Sequence, residues 1–155
     1  MIITARLPKD RLAEGTITWG AGTYACRGKA DNQAAMDHSN PSRDPRRPFG
    51  DHPAGHYVVT GIEVRAEDDS TYGPYRIVIQ PKDLNGHDEC ADRENAEAGD
   101  DGILIHGGKI LPDGVSLRAT HGCLRVHNTT TRALALAVKA ALAVGESVEY
   151  VCLLN

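Results

Sequence analysis

The sequence predicts a mainly β fold with one packed C-terminal helix. Three observations lead there. Short runs rich in β-branched and aromatic residues recur along the chain, sixteen glycines and eight prolines punctuate it with turns, and only one segment has a long helical period. An aromatic content of 5% and this density of turns are unlike a helical bundle.

Taken in order, Ile2 to Leu7, Gly15 to Trp19 and Gly22 to Cys26 read as three strands of a meander. From Arg27 to Asp51 the chain is polar and holds Asn40-Pro41, Asp44-Pro45 and Arg47-Pro48; the prolines exclude a central strand, so a long surface loop is expected. His56 to Arg65 and Tyr75 to Gln80 are the clearest strands, and the acidic turn ending in Tyr72-Gly73-Pro74 makes them a hairpin. Lys82 to Asp101 carries eight carboxylates against two cations and almost no large apolar residue. It reads as an exposed loop, either simply solvated or gripping a substrate ammonium group.

Gly102 to His106 is a short buried strand, and Gly107-Gly108 breaks it, leaving His106 at a strand terminus. After a turn at Leu111-Pro112-Asp113-Gly114 comes Ser116 to Val126. The helix follows from Thr129 to Val144, with Asn128 as its N-cap and Gly145 just past its end. Leu134, Val138, Ala141 and Leu142 form its apolar stripe, flanked by Leu136 and Val144. An alternating strand from Ser147 to Leu153 closes the fold.

At 155 residues the chain is expected to be one domain, 1–155, burying about 70% of the surface its unfolded form exposes. A formal charge of −4 with 25% charged residues argues against nucleic-acid binding and against a disordered composition, and fits a neutral or amphoteric substrate. The longest apolar stretch, Ala133 to Val144, is interrupted by Lys139 and is too short to span a bilayer, so membrane insertion is not expected. Met1 to Asp10 lacks the basic start and apolar core of a secretory signal, leaving a processed form, a cytoplasmic protein and signal-independent delivery as three readings.

Cys26, Cys90, Cys123 and Cys152 show no CxxC spacing. Cys152 reads as a core residue of the last strand, and Cys26 and Cys90, in polar surroundings, as a pair that an oxidising compartment would join. Cys123 differs because of its neighbours. A thiol with a pKa near 8.5 needs a base or a cation to act as a nucleophile at neutral pH. His106, His121 and Arg125 lie close enough along the chain to supply one. Gly122 removes the side chain beside the nucleophile, letting a carbonyl approach backbone N–H groups that form an oxyanion hole.

His106-Gly107, a gap, and then Thr120-His121-Gly122-Cys123-Leu124-Arg125 resembles the catalytic signature of the YkuD-type L,D-transpeptidases, a His-Gly pair followed by Ser/Thr-His-Gly-Cys, an apolar residue and Arg or Asn. His106 and Cys123 stand seventeen positions apart, within the family spacing. Pro53-Ala54-Gly55-His56-Tyr57 resembles the family's Thr-Pro-x-Gly-x-Tyr element, with His52 where Thr is usual. The likeness runs from about Phe49 to the C-terminus and does not cover Arg27 to Arg47 or Lys82 to Asp101.

What the resemblance implies is a β-sandwich-like L,D-transpeptidase fold acting on peptidoglycan stem peptides without a cofactor or metal. Cys123 would attack the carbonyl before the terminal D-alanine of a tetrapeptide, His106 would take its proton, and His121 would orient the site. Gly122, Gly107 and Thr120 would shape the oxyanion side, and Arg125 would either pair with a substrate carboxylate or anchor a loop. An amine acceptor would give a 3-3 cross-link or D-amino acid exchange, and water L,D-carboxypeptidase activity. Such an enzyme works in the periplasm. Delivered into a rival cell it would be an antibacterial effector, with an immunity protein as partner.

Two other readings stand beside this one: a zinc site from His106, His121, Cys123 and His127, and an inactive wall-binding module of the same fold. His38, His52, His56 and His87 read as loop or surface histidines.

Overall fold

A computed structural model describes residues 1–96 and 102–155. Among the described residues there are eight strands: β1 (Ile2–Leu7), β2 (Gly15–Trp19), β3 (Gly22–Arg27), β4 (Gly55–Val64), β5 (Tyr75–Pro81), β6 (Leu104–His106), β7 (Leu124–Val126) and β8 (Glu149–Leu154). The helices described are α1 (Asn32–Asp37), α2 (Glu89–Ala96) and α3 (Asn128–Ala143). The strands hydrogen-bond in the order β1-β2-β3-β7-β6-β5-β4-β8 and return to β1, so the sandwich-like sheet expected from sequence closes on itself as a barrel.

The expected meander and hairpin are both present, β1-β2-β3 and β4-β5, each antiparallel. Closure comes from the two ends of the chain, since β8 pairs in parallel with β1 from Ile2↔Glu149 to Leu7↔Leu154 and antiparallel with β4. Alternation along each strand sends Ile3, Ala5, Leu7, Ile17, Val59, Ile77, Ile79, Tyr150 and Cys152 into one core. The segment from Ser116 is strand only over β7, because residues 116 to 123 are committed to a loop described below.

Helix α3 packs on the barrel through Thr131, Leu134, Ala135, Val138 and Ala141. Leu134, Val138 and Ala141 match the stripe read from sequence, but Leu142 is at the rim and Leu136 and Val144 face water. The helix ends as predicted. Gly145 has φ +75°, its N–H meets Leu142 O, and the Glu146 N–H reaches back to Ala141 O, the 5→2 and 6→1 pair that closes an αL terminus. The start differs: Asn128 is the first helical residue, not the cap, and its side-chain oxygen accepts from the Gly108 N–H at 2.9 Å.

Both long segments between strands are more ordered than their composition suggests. Arg27 to Asp51 contains α1, and Asp51 is buried, accepting from the Ala30 N–H at 2.8 Å and from Arg43 Nε at 3.1 Å. The acidic segment forms α2, whose Cys90, Ala91 and Arg93 are buried. Its carboxylates are used: Glu89 pairs with the buried Arg11 at 2.5 Å, Asp92 with Arg46 at 2.5 Å and Asp88 with His56 at 3.2 Å. The expectation of a merely solvated loop is therefore wrong over α2, and residues 97 to 101 lie outside the described residues.

The register of α3 can be tested directly. Leu134→Ala removes a fully buried side chain and is expected to cost about 2–5 kcal/mol in urea denaturation, whereas Leu136→Ala should stay within about 0.5 kcal/mol of wild type.

Candidate active site

Strands β6 and β7 lie side by side and parallel, with Ile105 opposite Leu124 and His106 opposite Arg125. Paired residues of a parallel ladder share a face, so Ile105 and Leu124 enter the core while His106 and Arg125 stand together on the other side. Cys123 immediately precedes β7, and its sulfur lies within electrostatic reach of the Arg125 guanidinium. The topology thus brings His106, Cys123 and Arg125 to one edge of the barrel.

His106 is 3% exposed, and its Nδ1 lies 2.8 Å from Gly107 O. A carbonyl only accepts, so Nδ1 carries the proton and Nε2 the lone pair. Burial, reinforced by the charges of Arg125 and Arg76, lowers the imidazole pKa to about 4, so the ring is neutral at physiological pH. The edge of Tyr72 meets it at 5.0 Å between centroids.

Gly107 O accepts a second bond, from Arg125 Nη1 at 2.8 Å. Arg125 is 6% exposed and committed to this carbonyl. Of the two roles read from sequence, that of an anchor is the one its contacts support. Of the two glycines after His106, Gly108 is the one the backbone requires: its φ is +120°, and a Cβ there would lie 2.7 Å from Thr71 O and 2.8 Å from Ser70 O, whereas one on Gly107 would displace only the end of the Asn128 side chain, at 2.2 Å.

The stretch from Thr120 to Cys123 is irregular backbone, yet each of its four carbonyls has a donor. Thr120 O accepts from the Asp31 N–H at 2.8 Å, His121 O from Arg93 Nη2 at 2.9 Å, Gly122 O from His52 Nδ1 at 2.9 Å, and Cys123 O from Thr120 Oγ1 at 2.8 Å. Thr120 Oγ1 also accepts from the Gly122 N–H at 3.1 Å. Thr120 therefore ties the loop to itself, and the Gly122 N–H is taken up within the loop. Gly122 has φ +130°, and a Cβ there would sit 2.3 Å from Arg93 Nη2.

The family match covers most of this chain: the YkuD L,D-transpeptidase catalytic domain aligns with residues 12–149. The chain belongs to the L,D-transpeptidase catalytic domain family. No curated protein matches the sequence. Among solved structures, Bd1075 of Bdellovibrio bacteriovorus is similar at 17% identity and a TM-score of 0.45, covering 96% of this chain and 46% of that one. The helical cell shape determining protein Pgp2 of Campylobacter jejuni is similar at 16% identity and a TM-score of 0.48, covering 97% of this chain. This L,D-transpeptidase-family chain spans 46% of the length of either neighbour.

Within this family member the signature residues are not equivalent. His106, Arg125 and Thr120 are buried, whereas His121 is exposed and turned toward Phe49, 5.3 Å away between ring centroids. His52, read as a surface histidine, is fully buried: the walls of β4 and β8 close over it, and its Nε2 lies 2.9 Å from Tyr150 Oη. His38, His56 and His87 are exposed as expected. Sequence reasoning missed Arg93, Tyr150, Asn128 and Phe49. Only His52 carried a signal, as the departure from the family's usual Thr.

All four cysteines are free thiols. Cys26 and Cys90 do not pair, and neither has the polar surroundings read from sequence: Cys26 points into the barrel and Cys90, on α2, is buried against the core. Burial pushes the Cys26 thiol well up, Cys90 to about 11 and Cys152 to about 12. Cys123 alone is partly exposed. Among the described residues no three His, Cys, Asp or Glu side chains converge as metal ligands, so the four candidates for zinc do not form a site.

Iodoacetamide applied to the native protein is expected to modify Cys123 alone, seen as a single mass increment that Cys123→Ala abolishes; labelling of a second thiol under native conditions would contradict the burial described. A pH effect follows as well. The unfolded chain protonates its histidines from about pH 6.5 downward, but folded His106 waits until about pH 4 and His52, desolvated, until about 3. In that interval the unfolded state binds more protons, so stability is full above about pH 6.5 and falls as the pH drops toward 4. Urea midpoints should trace this fall, with a shallower slope in His52→Asn.

Proposed function

We propose that this chain is a peptidoglycan-acting cysteine acyltransferase that cleaves a stem tetrapeptide before its terminal D-alanine and passes the acyl group to an amine or to water. The observation that supports this most is the pairing of His106 with Arg125 across β6 and β7, directly beside Cys123, with the His106 proton fixed on Nδ1. A neutral imidazole with its lone pair on Nε2 is the form a general base needs.

In the first half-reaction Cys123 Sγ gives its proton to His106 Nε2 and attacks the carbonyl carbon of the third stem residue. The tetrahedral oxyanion collapses, the C–N bond to D-alanine breaks, and the proton held on His106 goes to the departing amine. A thioester on Cys123 remains. In the second half-reaction His106 takes a proton from the acceptor, an amine of another stem, a free D-amino acid or water. Collapse then expels the Cys123 thiolate, which recovers the proton. Arg125 and Gly107 act on His106 through its carbonyl partner and do not touch substrate. The exposed His121 and the half-buried Phe49 form a rim beside the nucleophile, suited to contact with the peptide. The enzyme would meet this substrate in the periplasm.

Incubation with tetrapeptide muropeptides, followed by mass spectrometry, tests the reading. Loss of D-alanine is expected with the intact protein and a fall of at least about a thousandfold with Cys123→Ala or His106→Ala. A dimeric product denotes transpeptidation and a tripeptide carboxypeptidation. Equal turnover by Cys123→Ala, or none by the intact protein, would refute the assignment.

A further inference from the structure

The two carbonyls that precede the nucleophile are held by side chains that no part of the catalytic signature contains. Arg93, from α2, is 1% exposed; its Nη2 donates to His121 O at 2.9 Å and its Nη1 to Pro45 O and Gly50 O at 3.3 and 3.4 Å. His52 is fully buried between the nucleophile loop and the last strand. Because Gly122 O only accepts, His52 Nδ1 is the protonated nitrogen, and Nε2 is left to accept from the Tyr150 hydroxyl at 2.9 Å. A chain of donors therefore runs from Tyr150 through His52 to the peptide that joins Gly122 to Cys123.

That peptide is planar and trans, as are all others described. In a trans peptide the C=O and the N–H point in opposite directions. Gly122 O is directed inward, at a fully buried imidazole, so the Cys123 N–H is directed outward, to the side from which a carbonyl must approach Sγ. Rotation of this peptide would turn the N–H away and leave both His52 Nδ1 and Gly122 O buried without partners, each then desolvated with no hydrogen bond in return. Arg93 fixes the preceding peptide in the same manner. It also fills the space a Cβ on Gly122 would need.

We propose that Arg93 and His52 are positioning residues for the nucleophile, holding the His121 and Gly122 carbonyls inward so that the Cys123 N–H faces the oxygen of the carbonyl under attack. This deepens the acyl-transfer reading and rests on it for the reaction concerned. Neither residue touches substrate. Their effect is on the transition state, where charge gathers on that oxygen, and a donor lost from such a position costs about 10²–10³ in rate. A donor displaced and not deleted is expected to cost about 10–100-fold.

The test compares two reactions of Cys123 that need no natural substrate. Acylation by 4-nitrophenyl acetate passes through a tetrahedral oxyanion, whereas alkylation by iodoacetamide does not. In Arg93→Met and His52→Ala, the acylation rate is expected to fall about 10–100-fold while alkylation stays within about twofold of wild type. His52→Asn, which keeps a donor near the Nδ1 position, should recover most of the acylation rate. Arg93→Lys, which keeps the charge and one donor, should lie between wild type and Arg93→Met; it also serves if Arg93→Met fails to give the wild-type circular dichroism spectrum.

Acylation and alkylation falling together would mean general collapse of the loop and would overturn the proposal. So would unchanged acylation in folded variants. Selective loss of acylation in a protein inert toward muropeptides would sink the substrate reading and leave the clamp standing; muropeptide turnover with no selective loss would do the reverse.

Discussion

Everything around the nucleophile depends on one requirement: four successive backbone carbonyls, Thr120 to Cys123, leave regular structure at the edge of the barrel, and each needs a hydrogen-bond donor. A strand would have satisfied them by pairing, but a strand would also alternate Cys123 into a position fixed by the sheet. The protein meets the requirement with donors from four separate places, Asp31, Arg93, His52 and Thr120. Three of these lie far from the loop in sequence. The segments that carry Asp31 and Arg93 are the two long connections, so the fastening of those connections and the shape of the nucleophile loop are one problem. Arg11 with Glu89, and Asp51 with Arg43 and Ala30, hold the connections in place.

Buried cations beside a thiol and an imidazole are costly unless their hydrogen bonds are made. Here they mostly point at carbonyl oxygens: Arg93 at three and Arg125 at Gly107. The arrangement puts the positive charge of Arg125 near Cys123. Arg125 attracts the Cys123 sulfur and, together with burial and Arg76, opposes a proton on His106. The same charge therefore favours the two forms acyl transfer requires, an electron-rich sulfur and an unprotonated base.

Much of this was legible in the chain. Alternating and short apolar runs located seven of the eight described strands to within a few positions, β7 being the exception, and Gly145 marked the end of α3, because period and turn chemistry are local. The pairing of His106 with the Cys123 region was legible from the His-Gly and Thr-His-Gly-Cys signature, and the connection from residue 107 to 123 is long enough to bring the two strands side by side in parallel. Barrel closure was not, since it depends on β1 meeting β8 across the whole chain. The two connections were misjudged for a related reason. An acidic, apolar-poor segment reads as solvated when its partners, Arg11, Arg46 and His56, are far away in sequence. His52 looked like a loop histidine because nothing local announces that Tyr150, ninety-eight residues later, will cover it.

Three histidines near the nucleophile show how the same side chain takes different parts according to what its nitrogens meet. His52 spends both on protein groups, a carbonyl and a hydroxyl, and is sealed from solvent, so it can neither take nor deliver a proton during turnover. His106 spends only Nδ1 on a carbonyl, which fixes its tautomer and leaves the lone pair on the nitrogen across the ring. His121 contributes its backbone carbonyl to Arg93 and keeps its ring at the exposed rim against Phe49. Residue type alone would rank the three as equal candidates for the base. Burial and the accepting nature of a carbonyl separate them: of the two buried rings, both held neutral by desolvation, His52 has both nitrogens on protein groups, whereas His106, on the side of the sheet where Cys123 and Arg125 stand, has among the described residues a partner for Nδ1 alone.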